Sequence, residues 1–183
     1  MSNSRGPETL TDFVLDLGPN AVAGTKQQAA DCEVVILATN WVNVSEALKD
    51  IDWNGRILVD ATNAHMDPKP DTSLEGVTRS RAALKGRTSS EIVAGMAIGA
   101  RLVKSISNMP MEWIQDFSPK KPHATLFASG DDATAKKLVI ELIDGVGFVA
   151  IDLGSLKTGG AMHEVGAPLS GLELHFARRL RRD

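Results

Sequence analysis

Apolar residues along this chain fall into two kinds of run, and the two alternate. Val34-Val35-Ile36-Leu37 is unbroken and gives way to the small and polar Ala38-Thr39-Asn40. A continuous run, rather than an alternating one, predicts a strand buried on both faces, as parallel sheets require. Val44, Ala47, Leu48 and Ile51 then recur at helical spacing, and Ile57-Leu58-Val59 begins a second buried strand ending in Asp60-Ala61-Thr62-Asn63. Strand, helix, strand is a βαβ unit with a right-handed crossover. Ligands of open α/β sheets bind outside the carboxyl ends of the strands, so Ala38 to Trp41 and Ala61 to Asn63 are the expected site.

The rest of the chain repeats the alternation. Gly6-Pro7 opens a helix whose apolar stripe is Leu10, Phe13, Val14 and Leu17, with Gly18 as its stop. Ala21-Val22-Ala23 reads as a short strand and residues 26–31 as a short helix. Residues 65–86, with Pro68, Pro70, Gly76 and Gly86, read as a long surface loop. Thr88-x-x-Glu91 is a capping box that starts a helix. A strand over 101–106 is followed by a short helix through Trp113 and Phe117. A strand over 124–129, a helix over 133–144 and a strand over 147–152 then complete the sheet. A glycine-rich loop spans 154–160, and a terminal helix is expected over 169–180. The pattern predicts a single domain over 1–183 of doubly wound α/β class with a mostly parallel sheet.

Composition changes this picture little. A net charge of -3 in 183 residues gives no global pull toward nucleic acid. The basic stretches, Arg79-Arg81-Lys85-Arg87 and Arg178 to Arg182, read as solvated faces. The single cysteine, Cys32, excludes an internal disulfide and fits a reducing, cytoplasmic compartment. No apolar stretch is long enough to span a bilayer, and no signal-peptide core is expected. With no tyrosine, the Tyr-x-x-x-Lys machinery of short-chain dehydrogenases is excluded. His65, His123, His163 and His175 match no metal-ligand spacing, so no metal is expected. Neither a P-loop nor a G-x-S-x-G elbow occurs.

Six short segments occur together in order: Asn3-Ser4-Arg5-Gly6-Pro7-Glu8; Val34 to Thr39 with Trp41; Gly55 to Asn63; Ala100 to Lys104 with Asn108; Gly130-Asp131-Asp132; and Asp152-Leu153-Gly154. This ordered set resembles the NADP oxidoreductases that work with the deazaflavin coenzyme F-420, over nearly the whole chain. The resemblance implies a Rossmann-like NAD(P)-binding domain and hydride transfer between NADPH and a deazaflavin, flavin or other small acceptor. It implies that Ser4 and Arg5 hold the 2′-phosphate of NADP, a hydroxyl and a guanidinium fork being suited to a dianion. It likewise puts Ala38, Thr39, Asn40, Trp41 and Asn63 on the cofactor. Asn108 and Met109 would touch the substrate, and Gly159, Gly160 and Met162 would close over it. Asn40 and Ala64 stand where the family usually has proline. Direct hydride transfer needs alignment of two rings and exclusion of water more than an acid or base, so no catalytic proton carrier is expected.

The family begins with a strand and a G-x-G-x-x-G turn ahead of the segment matching Ser2 to Arg5. No such pattern occurs in this sequence, and Gly145-Val146-Gly147 lies between a helix and a strand, the reverse of the phosphate-binding order. The expectation is a Rossmann-like sheet lacking its first βα unit, with NADP binding either retained or lost. Residues 1–31 would then be displaced, pair with residues 33–37, or be completed by a second chain, a homodimer through the exposed strand edge. Two other readings stand beside the enzyme: an inactive remnant acting as a binding or assembly protein, and a true start upstream of Met1.

Overall fold

The computed structural model describes residues 1–67, 69–110, 112, 114 and 123–176. Five strands, β1 (Val34–Leu37), β2 (Ile57–Asp60), β3 (Arg101–Ser105), β4 (His123–Gly130) and β5 (Val149–Asp152), lie side by side in that order. The pairs β1–β2, β2–β3 and β4–β5 are parallel, and β3–β4 is antiparallel, with Val103 opposite Gly130 and Ser105 opposite Ala128. The fold is the expected α/β sheet of Rossmann-like type.

Burial explains the middle of the sheet. All four residues of β2 are buried. Ile57 and Val59 pack on one face with Val139 and Ile143 of the helix Ala133–Gly145. Leu58 packs on the other with Val44 and Leu48 of the helix Val44–Leu48, and with Val93 of the helix Ser89–Met96. Each such side chain contributes about 1.5–3 kcal/mol on leaving water. The capping box forms as expected: Glu91 N donates to Thr88 Oγ1 at 3.1 Å, and Thr88 N donates to Glu91 Oε2 at 2.7 Å. Among the described residues no helix is long and apolar enough to cross a membrane.

Four expectations are corrected. First, β1 is not buried on both faces, because Ile36 is 56% exposed. β1 is the edge of the sheet, and on that side no described strand pairs with it. Second, Ala21-Val22-Ala23 is not a strand. Its backbone is tied instead to the chain terminus: the Met1 ammonium donates to Val22 O at 2.6 Å, and Gly24 N donates to Met1 O at 2.8 Å. The helix Thr11–Leu17 forms, but it buries none of its residues, and Phe13, Leu15 and Leu17 are each more than half exposed.

Third, the stretch read as a loop contains a helix, Leu74–Ala83. Ser73 caps it, accepting from Gly76 N at 3.1 Å, so Pro70 lies ahead of its first turn and does not break it. Fourth, the terminal helix over 169–180 is not formed where the chain is described. Leu174 O accepts from Thr125 N at 2.8 Å, which lays the segment along β4, and His175–Phe176 pairs antiparallel with His123 and Ala124. Residues 177–180 of that expectation, and most of the short helix through Trp113 and Phe117, lie outside the described residues.

Candidate functional site

Adjacent parallel strands end at the same level, so the residues that follow them form two sides of one opening. Ala61 N donates to Leu37 O at 3.1 Å, the last rung between β1 and β2. Past it lies a cavity of about 540 Å³, lined by Ala38, Thr39, Asn40 and Trp41 from one strand end and Ala61, Thr62 and Asn63 from the other. His65, Asp67 and Pro70 close it from the segment beyond. A volume of this size suits a small molecule or one half of a dinucleotide.

The floor under this opening is polar and wholly buried. Asp60 Oδ1 accepts from Thr62 N at 2.9 Å and from Thr62 Oγ1 at 2.6 Å, which folds the strand end into a tight turn. Asp60 Oδ2 accepts from Ser90 Oγ and faces Lys104 Nζ at 3.8 Å, with both ion-pair side chains fully inaccessible. Lys104 Nζ donates directly to Thr62 O at 3.1 Å. A charge from the next strand therefore fixes the backbone on which Ala61, Thr62 and Asn63 face the cavity.

Beneath the floor, His163 Nε2 lies 3.0 Å from Ser129 Oγ, and the ring meets Phe127 edge-on at 6.0 Å. Burial, with the Lys104 charge added, pushes the His163 pKa down to about 3, so the imidazole is neutral.

Asn63 and His65 are set by a turn of their own. His65 N donates to Asn63 O at 2.8 Å, a three-residue turn around Ala64, which is 3% exposed. Asn63 Nδ2 donates to Ser107 O at 3.0 Å. Its Oδ1 and His65 Nδ1 are buried without a hydrogen-bond partner. Burial lowers the His65 pKa, outweighing the backbone of Asp71 and the carboxylates of Asp71 and Asp67, which act the other way. On the rim, Arg79 bridges Asp67 and Asp71.

The structure brings together five of the expected cofactor residues, Ala38, Thr39, Asn40, Trp41 and Asn63. Ser4 and Arg5 lie elsewhere, exposed in an N-terminal turn where Asn3 Oδ1 accepts from Arg5 N at 3.0 Å. The five expected substrate residues do not line this cavity. Asn108 is buried beside β4, with Nδ2 donating to Thr125 O at 3.3 Å, and Met109 belongs to the apolar core. A Cβ on Gly159 would fall 2.5 Å from both Leu153 O and Ser129 Oγ, so that glycine serves the close approach of two backbones. Gly160 is buried above Thr88, and Met162 is 41% exposed.

Sequence reasoning missed the buried ion pair, although a signal was present. Lys104 directly follows Leu102-Val103 inside a strand of the sheet, and a lysine buried there needs a partner. His65 carried no local signal, because its place on the cavity depends on the turn at Ala64. Among the described residues no group of three or more His, Cys, Asp or Glu side chains is placed to hold a metal ion.

Comparison with known proteins fits this geometry. Residues 1–64, which contain both strands bounding the cavity, match the sequence model of the family described as NADP oxidoreductase, coenzyme F420-dependent. The solved structure of a hypothetical protein from Sinorhizobium meliloti is 34% identical, covering 96% of this chain and 82% of that one with a TM-score of 0.82. A candidate F420-dependent NADP-reductase from an Arthrobacter species is 26% identical, with a TM-score of 0.50 over 73% of this chain and 60% of that one. A pyrroline-5-carboxylate reductase from Coxiella burnetii is 13% identical over 90% of this chain and 53% of its own, with a TM-score of 0.52, and shows the fold alone. No curated protein matches the chain. The strand ends that bound the cavity lie inside the matched segment, and over residues 1–64 the chain belongs to the F420-dependent NADP oxidoreductase family.

Proposed function

We propose that this chain is an NADP-linked oxidoreductase that moves a hydride between NADPH and a deazaflavin, flavin or other small acceptor. The observation that carries the reading is the cavity where the ends of β1 and β2 meet, lined by polar and apolar side chains from both strand ends. That is where open α/β sheets receive nucleotides. A nicotinamide bound there would supply the hydride. The chain's own residues bind and orient the ring: Trp41 and Pro70 offer apolar surface, and Thr39, Asn40 and Asn63 offer hydrogen bonds. The fixed turn at Asp60–Thr62 keeps that wall rigid, as alignment of two rings requires. The acceptor is a small molecule, and the domain acts either alone or as a homodimer through the open edge of β1.

The test is a titration of the purified chain with NADPH, followed by Trp fluorescence and by oxidation of NADPH with flavin or deazaflavin present. Saturable binding in the micromolar range, weakened at least tenfold by Trp41→Ala, is the expected result. Absence of saturation up to millimolar NADPH overturns the reading and leaves a binding or assembly protein on the same scaffold.

A further inference from the structure

We propose that the buried pair Asp60–Lys104 positions the cavity wall for its ligand by gripping Thr62, an inference that rests on the reading of that cavity as the binding site. Thr62 is 2% exposed, and each of its polar groups is engaged. Its N–H and its hydroxyl both donate to Asp60 Oδ1, at 2.9 and 2.6 Å, and its carbonyl accepts from Lys104 Nζ at 3.1 Å. Lys104 Nζ lies 3.8 Å from Asp60 Oδ2, too long for a hydrogen bond, and gives its hydrogen bond to the Thr62 carbonyl instead. Both donors of Thr62 are thus spent inside the protein, and the residue acts through its place in the wall.

The grip is built by register. Asp60 stands opposite Lys104 on β2 and β3, and Lys104 opposite Ser129 on β3 and β4, so the three side chains share one face of the sheet. Ser90 Oγ, from the helix Ser89–Met96, donates to Asp60 Oδ2, and His163 braces Ser129. Three strands and a helix therefore support a single turn of backbone.

Stability alone does not account for such a pair. Two charges taken out of water are seldom more stabilising than well-packed apolar side chains of similar volume. Apolar side chains could not, however, hold the N–H, hydroxyl and carbonyl of one residue at once. Ala61 and Asn63 flank Thr62 and line the cavity with it, so this stretch of wall is ordered before a ligand arrives. A ligand that meets a wall already ordered does not bear the entropy of ordering it.

The double variant Asp60→Ala/Lys104→Met separates positioning from stability, because it lacks both charges and strands neither. Amide exchange on the ligand-free chain reads the wall directly. The expected result is a Thr62 amide that exchanges at least tenfold faster than in the parent, while the Leu58 and Val59 amides inside the sheet stay slow. NADPH should bind this variant about tenfold more weakly although it melts close to the parent. Asp60→Asn/Lys104→Met keeps an acceptor for the Thr62 N–H and hydroxyl but no donor to its carbonyl, and should fall between the two. Where the alanine variant fails to fold, the asparagine variant carries the comparison.

Parent-like exchange at Thr62, a uniform loss of protection along β2, or parent-like NADPH affinity with a loosened wall overturns the proposal. Failure of the parent chain itself to bind NADPH overturns the cofactor reading and not the grip, which then stands or falls on the exchange contrast at Thr62.

Discussion

Asp60→Ala should lower the stability of the fold by about 3–5 kcal/mol, the usual result of stranding one member of a buried ion pair. The substitution removes the counter-charge of Lys104, which is fully inaccessible, and leaves Ser90 Oγ and the Thr62 hydroxyl without their acceptor. A loss of that size is a large share of the 5–15 kcal/mol that holds a typical domain together. Combining Asp60→Ala with Lys104→Met should recover most of it, since neither charge then remains in the interior. Urea denaturation of the two single variants and the double variant measures the coupling. Additive losses in the double variant, or a cost below about 1 kcal/mol for Asp60→Ala, would show that the pair does not hold the floor of the cavity.

The second large effect is in pH. His163 is neutral in the folded chain, its pKa pushed down to about 3 by burial and the nearby Lys104, while an unfolded imidazole titrates near 6.5. Between those values the unfolded state holds the extra proton, so stability falls as pH drops below about 6.5. The slope approaches about 1.4 kcal/mol per pH unit, and roughly 2 kcal/mol is lost between pH 6.5 and pH 5. His65, also lowered, adds in the same direction. Unfolding free energies measured from pH 5 to pH 7.5 on the parent chain and on His163→Gln isolate the larger contribution. The variant should be flatter across this range; equal slopes in the two proteins refute the buried neutral ring.

Where a local pattern determined an element, the sequence revealed it. The unbroken run Ile57-Leu58-Val59 became a strand buried on both sides, and the Thr88–Glu91 capping box opened the helix Ser89–Met96. The cavity position followed from topology alone, because strand ends in a parallel pair must adjoin. What escaped depended on distant partners. The direction of β4 against β3 is not written in either strand's composition. Ile36 reads like its neighbours, yet whether it is covered depends on residues far away in the chain. The helix Leu74–Ala83 hid because it is largely polar and follows two prolines, so that only its cap at Ser73 announced it. Asn108 and Met109 follow a strand end, as site residues often do, but the antiparallel return of β4 buries them.

The open margin of β1 has a consequence for deuterium uptake. Glu33 O accepts from Ile57 N, and Leu37 O from Ala61 N, so the odd-numbered residues of this strand turn their amides and carbonyls toward β2. The amides of Val34 and Ile36 point the other way, where no described strand pairs with β1. Isotope labelling should therefore alternate residue by residue along four positions, with Val35 and Leu37 slow and Val34 and Ile36 fast. Were a second copy to dock along this margin, the alternation would vanish as protein concentration rises.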